Sequence, residues 1–209
     1  MAEETDHPLE RLVFFSDAVF AIAITLLVIE IEIPDLPKGA SVAQYQHELQ
    51  SLIPSFAGFF MSFAVIAAFW AAHHTAFSMT RKYSPKMLPW NLIFLGLIAL
   101  TPWLTGFLSR NLNALLPTAV YFGAFTITAL LNARLAFMAT SAATLEAETR
   151  DKVSRLRRRC IGLALGAFTA LCLSFVLPEQ MRFMGLLAVP IWTRVLVLSA
   201  PSQRAQENV

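Results

Sequence analysis

The sequence predicts an all-α protein built as a six-span transmembrane bundle, and three observations predict it. Charged residues make up 14% of the 209-residue chain, against about 25% in soluble domains. Mean hydropathy is +0.59. The charges gather between apolar runs of bilayer length, about 20 residues at a rise of roughly 1.5 Å each. The net charge of +2 is too small to draw a nucleic-acid partner, which leaves the lipid bilayer as the expected surroundings.

Residues 1–8 read as a short polar tail, acidic at Glu3, Glu4 and Asp6 where a cleavable signal would be basic. The first span covers 9–33. From Leu12 to Ile29 only Ser16, Asp17 and Thr25 break its apolar run, and no Gly or Pro occurs from Arg11 until Pro34, so an uninterrupted helix is expected to its outer end. Residues 35–50 are polar, with a surface helix over 42–50. The second span covers 52–79, with Pro54 tolerated in its first turn. Arg81, Lys82 and Lys86 form a basic break before the third span, 87–108. The fourth span, 116–143, carries Asn132 and Arg134, the latter expected to snorkel or pair near the cytoplasmic end. A charged connection over 146–159 leads to the fifth span, 160–177. The sixth, 181–198, is expected to kink at Pro190, and 199–209 form a polar tail. Cys160 and Cys172 lie about three helical turns apart on one span, too far to bridge, and read as packing residues. The chain contains no visible internal repeat, which disfavours transporters built from inverted repeats.

Six spans put both termini on one side. The breaks after the second and fourth spans hold Arg81, Lys82, Lys86, Arg150, Lys152, Arg155, Arg157, Arg158 and Arg159, while the other breaks hold Lys38, Arg110 and Arg182. The Lys/Arg bias therefore places both termini in the cytoplasm. The run Arg155–Arg159 reads first as this topology signal and second as a contact for anionic headgroups.

On the first span, Ala18, Ile22, Thr25, Ile29 and Glu32 share one helical face, flanked by Leu26. Such a seam packs against other helices of the same subunit, or copies of it gather around a symmetry axis. In the second case Ile22 is a hydrophobic constriction, Thr25 a hydroxyl ring and Glu32 an anionic outer mouth. Asp17 lies about 100° off this face and should meet neighbouring helices. Its candidate partners are Arg11, Trp70, His73, His74 and Asn91, which with Ser16 form a polar clasp; because it contains His, the clasp is also a candidate proton-sensitive element.

The residues Arg11, Phe15, Ser16 and Asp17 in R-x-x-x-F-S-D, followed by A-V-F-A-I-A-I-T-L-L, resemble the signature of the lysosomal potassium channel transmembrane protein 175 and its bacterial homologues. His73, His74 and Asn91 support the likeness, which is to the single-repeat bacterial type; the animal members carry two six-span units. The resemblance implies a homotetramer in the bacterial plasma membrane, permeable to potassium and other monovalent cations and needing no cofactor. It implies that the first helices line the pore, with the constriction on Ile22, further hydrophobic rings on Leu26 and Ile29, and the selectivity layer on Thr25. No T-V-G-Y-G carbonyl filter is present, so selectivity must come from rings of side chains.

Two other functions compete. A metalloenzyme is disfavoured because His73 and His74 point about 100° apart and neither H-E-x-x-H nor C-x-x-C occurs. A proton-coupled transporter or proton leak would use Asp17, His73 and Arg134 as a relay.

Overall fold

The computed structural model describes residues 7–80, 83–141 and 147–198. The expected tails, together with Arg81 and Lys82, lie wholly or largely outside the described residues. Among those described, every regular element is helical: α1 (His7–Leu26), a 3₁₀ turn (Leu27–Glu30), α2 (Val42–Ser51), α3 (Ile53–Ser78), α4 (Met87–Ser109), α5 (Leu115–Ala139), α6 (Ala147–Val176), a 3₁₀ run (Glu179–Leu187) and α7 (Ala188–Leu198). Among the described residues six helical stretches are long and apolar enough to cross a membrane.

The first span departs from the expectation of one continuous helix. The α-helix stops at Leu26, tightens into the 3₁₀ turn and becomes extended at Ile31. The cause is local. Val28, Ile29, Ile31 and Ile33 are β-branched and crowd a helix, and Pro34 pushes its predecessor toward extended backbone. The 3₁₀ turn satisfies carbonyls that the helix end leaves open, as in the Ile31 N–H bond to Val28 O at 3.2 Å. Glu32 therefore lies beyond the helix and does not continue its stripe.

The loop that follows turns at Gly39, whose φ of 87° suits glycine. The Ala40 N–H closes this turn on Pro37 O at 3.0 Å. A capping box then starts α2: Ser41 Oγ accepts from the Gln44 N–H at 3.3 Å, and the Gln44 side chain accepts from the Ser41 N–H at 2.7 Å. Pro54 sits in the first turn of α3.

Two expectations at the carboxyl-terminal end need correction. The charged connection is not a loop, since from Ala147 onward it is the start of α6, where Asp151 and Arg155 pair one turn apart. Pro190 does not kink the last span. It lies in the first turn of α7, where its missing N–H has no helical partner to lose. The preceding residues form the 3₁₀ run instead. Cys160 is buried as expected, but Cys172 is exposed on the protomer surface.

α4, α5 and α6 form the packed centre of the protomer, with α1 and α3 against α4 and with α7 against α6. A large core joins Phe20, Ile66, Phe69, Phe94, Ile98, Phe122 and Phe125 across α1, α3, α4 and α5. A second core of Leu12, Ala76, Met87, Ala139 and Leu156 gathers the start of α1, α4 and α6 with the end of α3 and α5. This is the end of the bundle that holds the Lys/Arg clusters. The α6–α7 seam is closer still. Gly162 and Gly166 are four apart, and a Cβ on them would lie 2.8 Å from Thr193 Cα and 2.5 Å from Val189 Cα. This is the small-residue spacing that lets membrane helices touch backbone to backbone.

Candidate functional site

α1 turns one face to its own subunit and leaves the other uncovered. Leu12, Ser16, Phe20 and Ala23, with Leu27 in the 3₁₀ turn, are buried. Ala18, Ile22, Thr25, Leu26 and Ile29 fall on the opposite side, and all are exposed in the single protomer. Ile22 is 58% exposed and Ile29 69%, although both are large and apolar. Among the described residues no helix of this subunit covers the seam, so its other reading, packing within the subunit, is not seen there. Thr25 Oγ1 donates back to the carbonyls of Ala21 (3.1 Å) and Ile22 (2.9 Å), which leaves its oxygen lone pairs turned outward.

The buried face is held by two separate polar contacts. In one, Asn91 on α4 is the hub: its Nδ2 donates to Ser16 Oγ at 2.9 Å, and its Oδ1 lies 2.9 Å from His73 Nε2. Ser16 in turn donates to Leu12 O at 2.7 Å. Since an amide oxygen only accepts, Nε2 carries the hydrogen. The His73 ring is enclosed by aromatics, with centroids 4.2 Å from Phe77 and 5.7 Å from both Phe94 and Phe20. In the other contact, Trp70 Nε1 donates to Asp17 Oδ1 at 2.9 Å, and the Trp70 ring stacks on His74 at 5.3 Å.

The predicted clasp is thus two units rather than one. Ser16, His73 and Asn91 form the buried one; Asp17, Trp70 and His74 form the outer one. Arg11 is exposed and, among the described residues, pairs with neither. Arg134 lies over the Trp90 ring at 4.0 Å, a cation–π contact. Among the described residues no direct hydrogen bond joins Asp17, His73 and Arg134: Asp17 accepts from an indole, His73 meets an amide and Arg134 lies over a ring.

At the far end of α1 the acidic residues are engaged. Arg110 Nη2 lies 3.1 Å from Glu32 Oε1 and 3.8 Å from Glu30 Oε2. The Glu30 carboxylate rests against Gly106, where any Cβ would overlap it. Glu32 is 70% exposed, but its charge is partly offset by this arginine. Sequence reasoning missed this contact, and it missed a buried network in which Thr105 donates to Ser62 (2.7 Å) and Ser62 meets the Tyr121 hydroxyl (3.0 Å). Hydroxyls on three different spans carry no signal until the spans are packed. Among the described residues, no three His, Cys, Asp or Glu side chains come close enough to share a metal ion.

Residues 11–102 match the family model described as endosomal/lysosomal potassium channel TMEM175. The chain is 36% identical over 174 residues to a potassium channel of Chamaesiphon minutus, covering 79% of this chain and 84% of that one. It is 34% identical over 98 residues to the endosomal/lysosomal proton channel TMEM175 of Rattus norvegicus, which is 44% of this chain and 20% of the rat protein. The fold matches the crystal structure of a lysosomal potassium-selective channel TMEM175 homologue from Chamaesiphon minutus. The TM-score is 0.74 at 29% identity, covering 94% of this chain and 100% of that one.

Proposed function

The chain belongs to the TMEM175 channel family, and on that premise we propose that it is a potassium-permeable cation channel, a homotetramer whose four α1 helices enclose the pore. The observation that carries this reading is the uncovered seam: Ile22, Leu26 and Ile29 are exposed on a helix whose opposite face is anchored by a buried hydrogen-bond network. Lipid would tolerate that face, but one helix cannot enclose a path, and one copy of the motif per chain calls for several chains around a closed axis. In the assembly, Ile22 forms the hydrophobic constriction, which excludes ions by dewetting. Thr25 forms a ring of hydroxyl oxygens for a partly dehydrated cation. Leu26 and Ile29 narrow the path beyond it, and Glu32, tempered by Arg110, shapes the outer mouth. The protein lies in the bacterial inner membrane with both termini cytoplasmic. Conduction is passive and needs no cofactor.

The test is a potassium-gradient flux assay on purified protein in liposomes, with sodium, caesium and proton gradients compared. Potassium flux is expected, and Ile22→Ala should raise it by widening the constriction. If Ile22→Ala leaves flux unchanged while Leu26→Ala alters it, the constriction lies elsewhere. If protons alone cross, the channel reading holds and potassium is the wrong ion.

A further inference from the structure

α3, α6 and α7 line an open crevice of about 940 Å³, with no α1 residue in its lining, at the end of the bundle that bears the basic clusters. Its lining includes Lys152, Arg155 and Arg159 on α6 and Arg194 on α7, and no acidic residue among the described ones. Lys152, Arg155 and Arg159 recur at helical spacing, so one face of α6 begins basic and becomes apolar at Leu156 and Leu163. From Lys152 to Leu163 that face runs about 16 Å, half the depth of a hydrocarbon core. The α3 wall is built from small residues, Ala68, Ala71 and Ala72, and this is what leaves the space open. Asp151 occupies Arg155, but Arg159 and Arg194 have no acidic partner among the described residues.

We infer that this crevice is a binding site for an anionic glycerophospholipid, its phosphate on Arg159 and Arg194 and an acyl chain between α3 and α7. The two halves of the site require both parts of that molecule. An apolar recess within the span of a membrane fills with hydrocarbon, and cations at its mouth sit where lipid phosphates lie. A soluble anion would leave the apolar recess empty, and a zwitterionic lipid would leave the arginines' charge uncompensated. The site shares no residue with the α1 seam and does not depend on whether the chain conducts.

Native mass spectrometry of the purified protein, with dioleoyl-phosphatidylglycerol or dioleoyl-phosphatidylcholine added to the detergent, tests this. The phosphatidylglycerol should be retained preferentially. Arg159→Gln and Arg194→Gln should each lower its retention about fivefold, the effect of one basic residue near an anionic lipid. Arg150→Gln, the same charge change on the same helix but off the crevice, should not. Ala71→Phe fills the recess and keeps every charge, and should lower retention as well. Equal retention of the two lipids would overturn the proposal, as would displacement by millimolar glycerol 3-phosphate, which would mark a soluble-anion site. Retention untouched by the arginine and Ala71 variants alike would also overturn it, and so would a cross-link showing a helix of a second copy seated in the crevice.

Discussion

Asn91 is fully buried and serves Ser16 and His73 at once, so its amide sets how α1 sits on α4. Asn91→Leu keeps much of the volume but leaves a hydroxyl and an imidazole without that partner, a loss of about 1–3 kcal/mol for each buried group left unsatisfied. The expected outcome is a clearly lower melting temperature of the purified oligomer; a melt within error of wild type would show that the network is dispensable. Asp17→Asn leaves an oxygen for the Trp70 N–H and should cost less than Asn91→Leu in the same measurement. On the other side of the helix, Thr25→Val keeps the shape but removes the outward oxygen, so the reversal potential under mixed potassium and sodium should move toward non-selectivity. The sequence named every clasp member except that it added Arg11, because it could list polar groups at one depth but not choose among them. Whether Trp70 or Asn91 reaches Asp17 depends on helix rotations that no spacing records.

Among the elements, the end of α1 was the least legible. An apolar run without Gly or Pro looks helical to its last residue, yet crowding by β-branched residues and Pro34 stop the α-helix at Leu26. The start of α6 was misjudged for the opposite reason: a membrane reading ends a span where charge begins, whereas a helix needs no apolar residues to continue, and the Asp151–Arg155 pair supports it in water. Glycines that sequence reading passed over let both helices meet their neighbours closely: Gly106 beside Glu30 past the end of α1, and Gly162 and Gly166 on the later half of α6 against α7. At Gly166 the obstacle is the Val189 backbone, which cannot rotate aside. Gly166→Leu should therefore separate α7 from α6 and destabilise the protein by about 1–3 kcal/mol or more, the range for overpacking. Limited proteolysis should then cut the α6–α7 connection, which stays protected in the parent. Unchanged protection would mean that α7 can shift as a unit.

At the scale of the whole molecule, burial within the protomer is uneven from span to span. In α4 and α5, half or more of the most apolar window is buried within the subunit, 50% and 56%, against 28% for the first span, 22% for the second and 6% for the last, so low burial is shared by three spans and what sets α1 apart is the pattern of its two faces. A helix anchored by a buried polar network on one face and bare on the other is built to meet something, and lipid alone does not explain a threonine held between isoleucines on the bare face. If that face meets its own copies, residues on it approach their symmetry mates and residues on the anchored face do not. Cysteine cross-linking separates the two cases. Cys160 is buried and can stay, but Cys172 is exposed, so the background must carry Cys172→Ser. In that background, Ile22→Cys and Ile29→Cys should form disulfide-linked dimers between chains under mild oxidation in membranes, since a bridge needs Cα atoms within about 7 Å. Ala23→Cys, one residue on but 1% exposed toward the protomer interior, should not. Native mass spectrometry of the uncrosslinked protein should then give four chains. A cross-linked Ala23→Cys beside a monomeric Ile22→Cys would mean that α1 rotates its anchored face toward the axis. A protein that stays a single chain in lipid and still conducts potassium would remove the shared axis, and with it the reason for the bare seam.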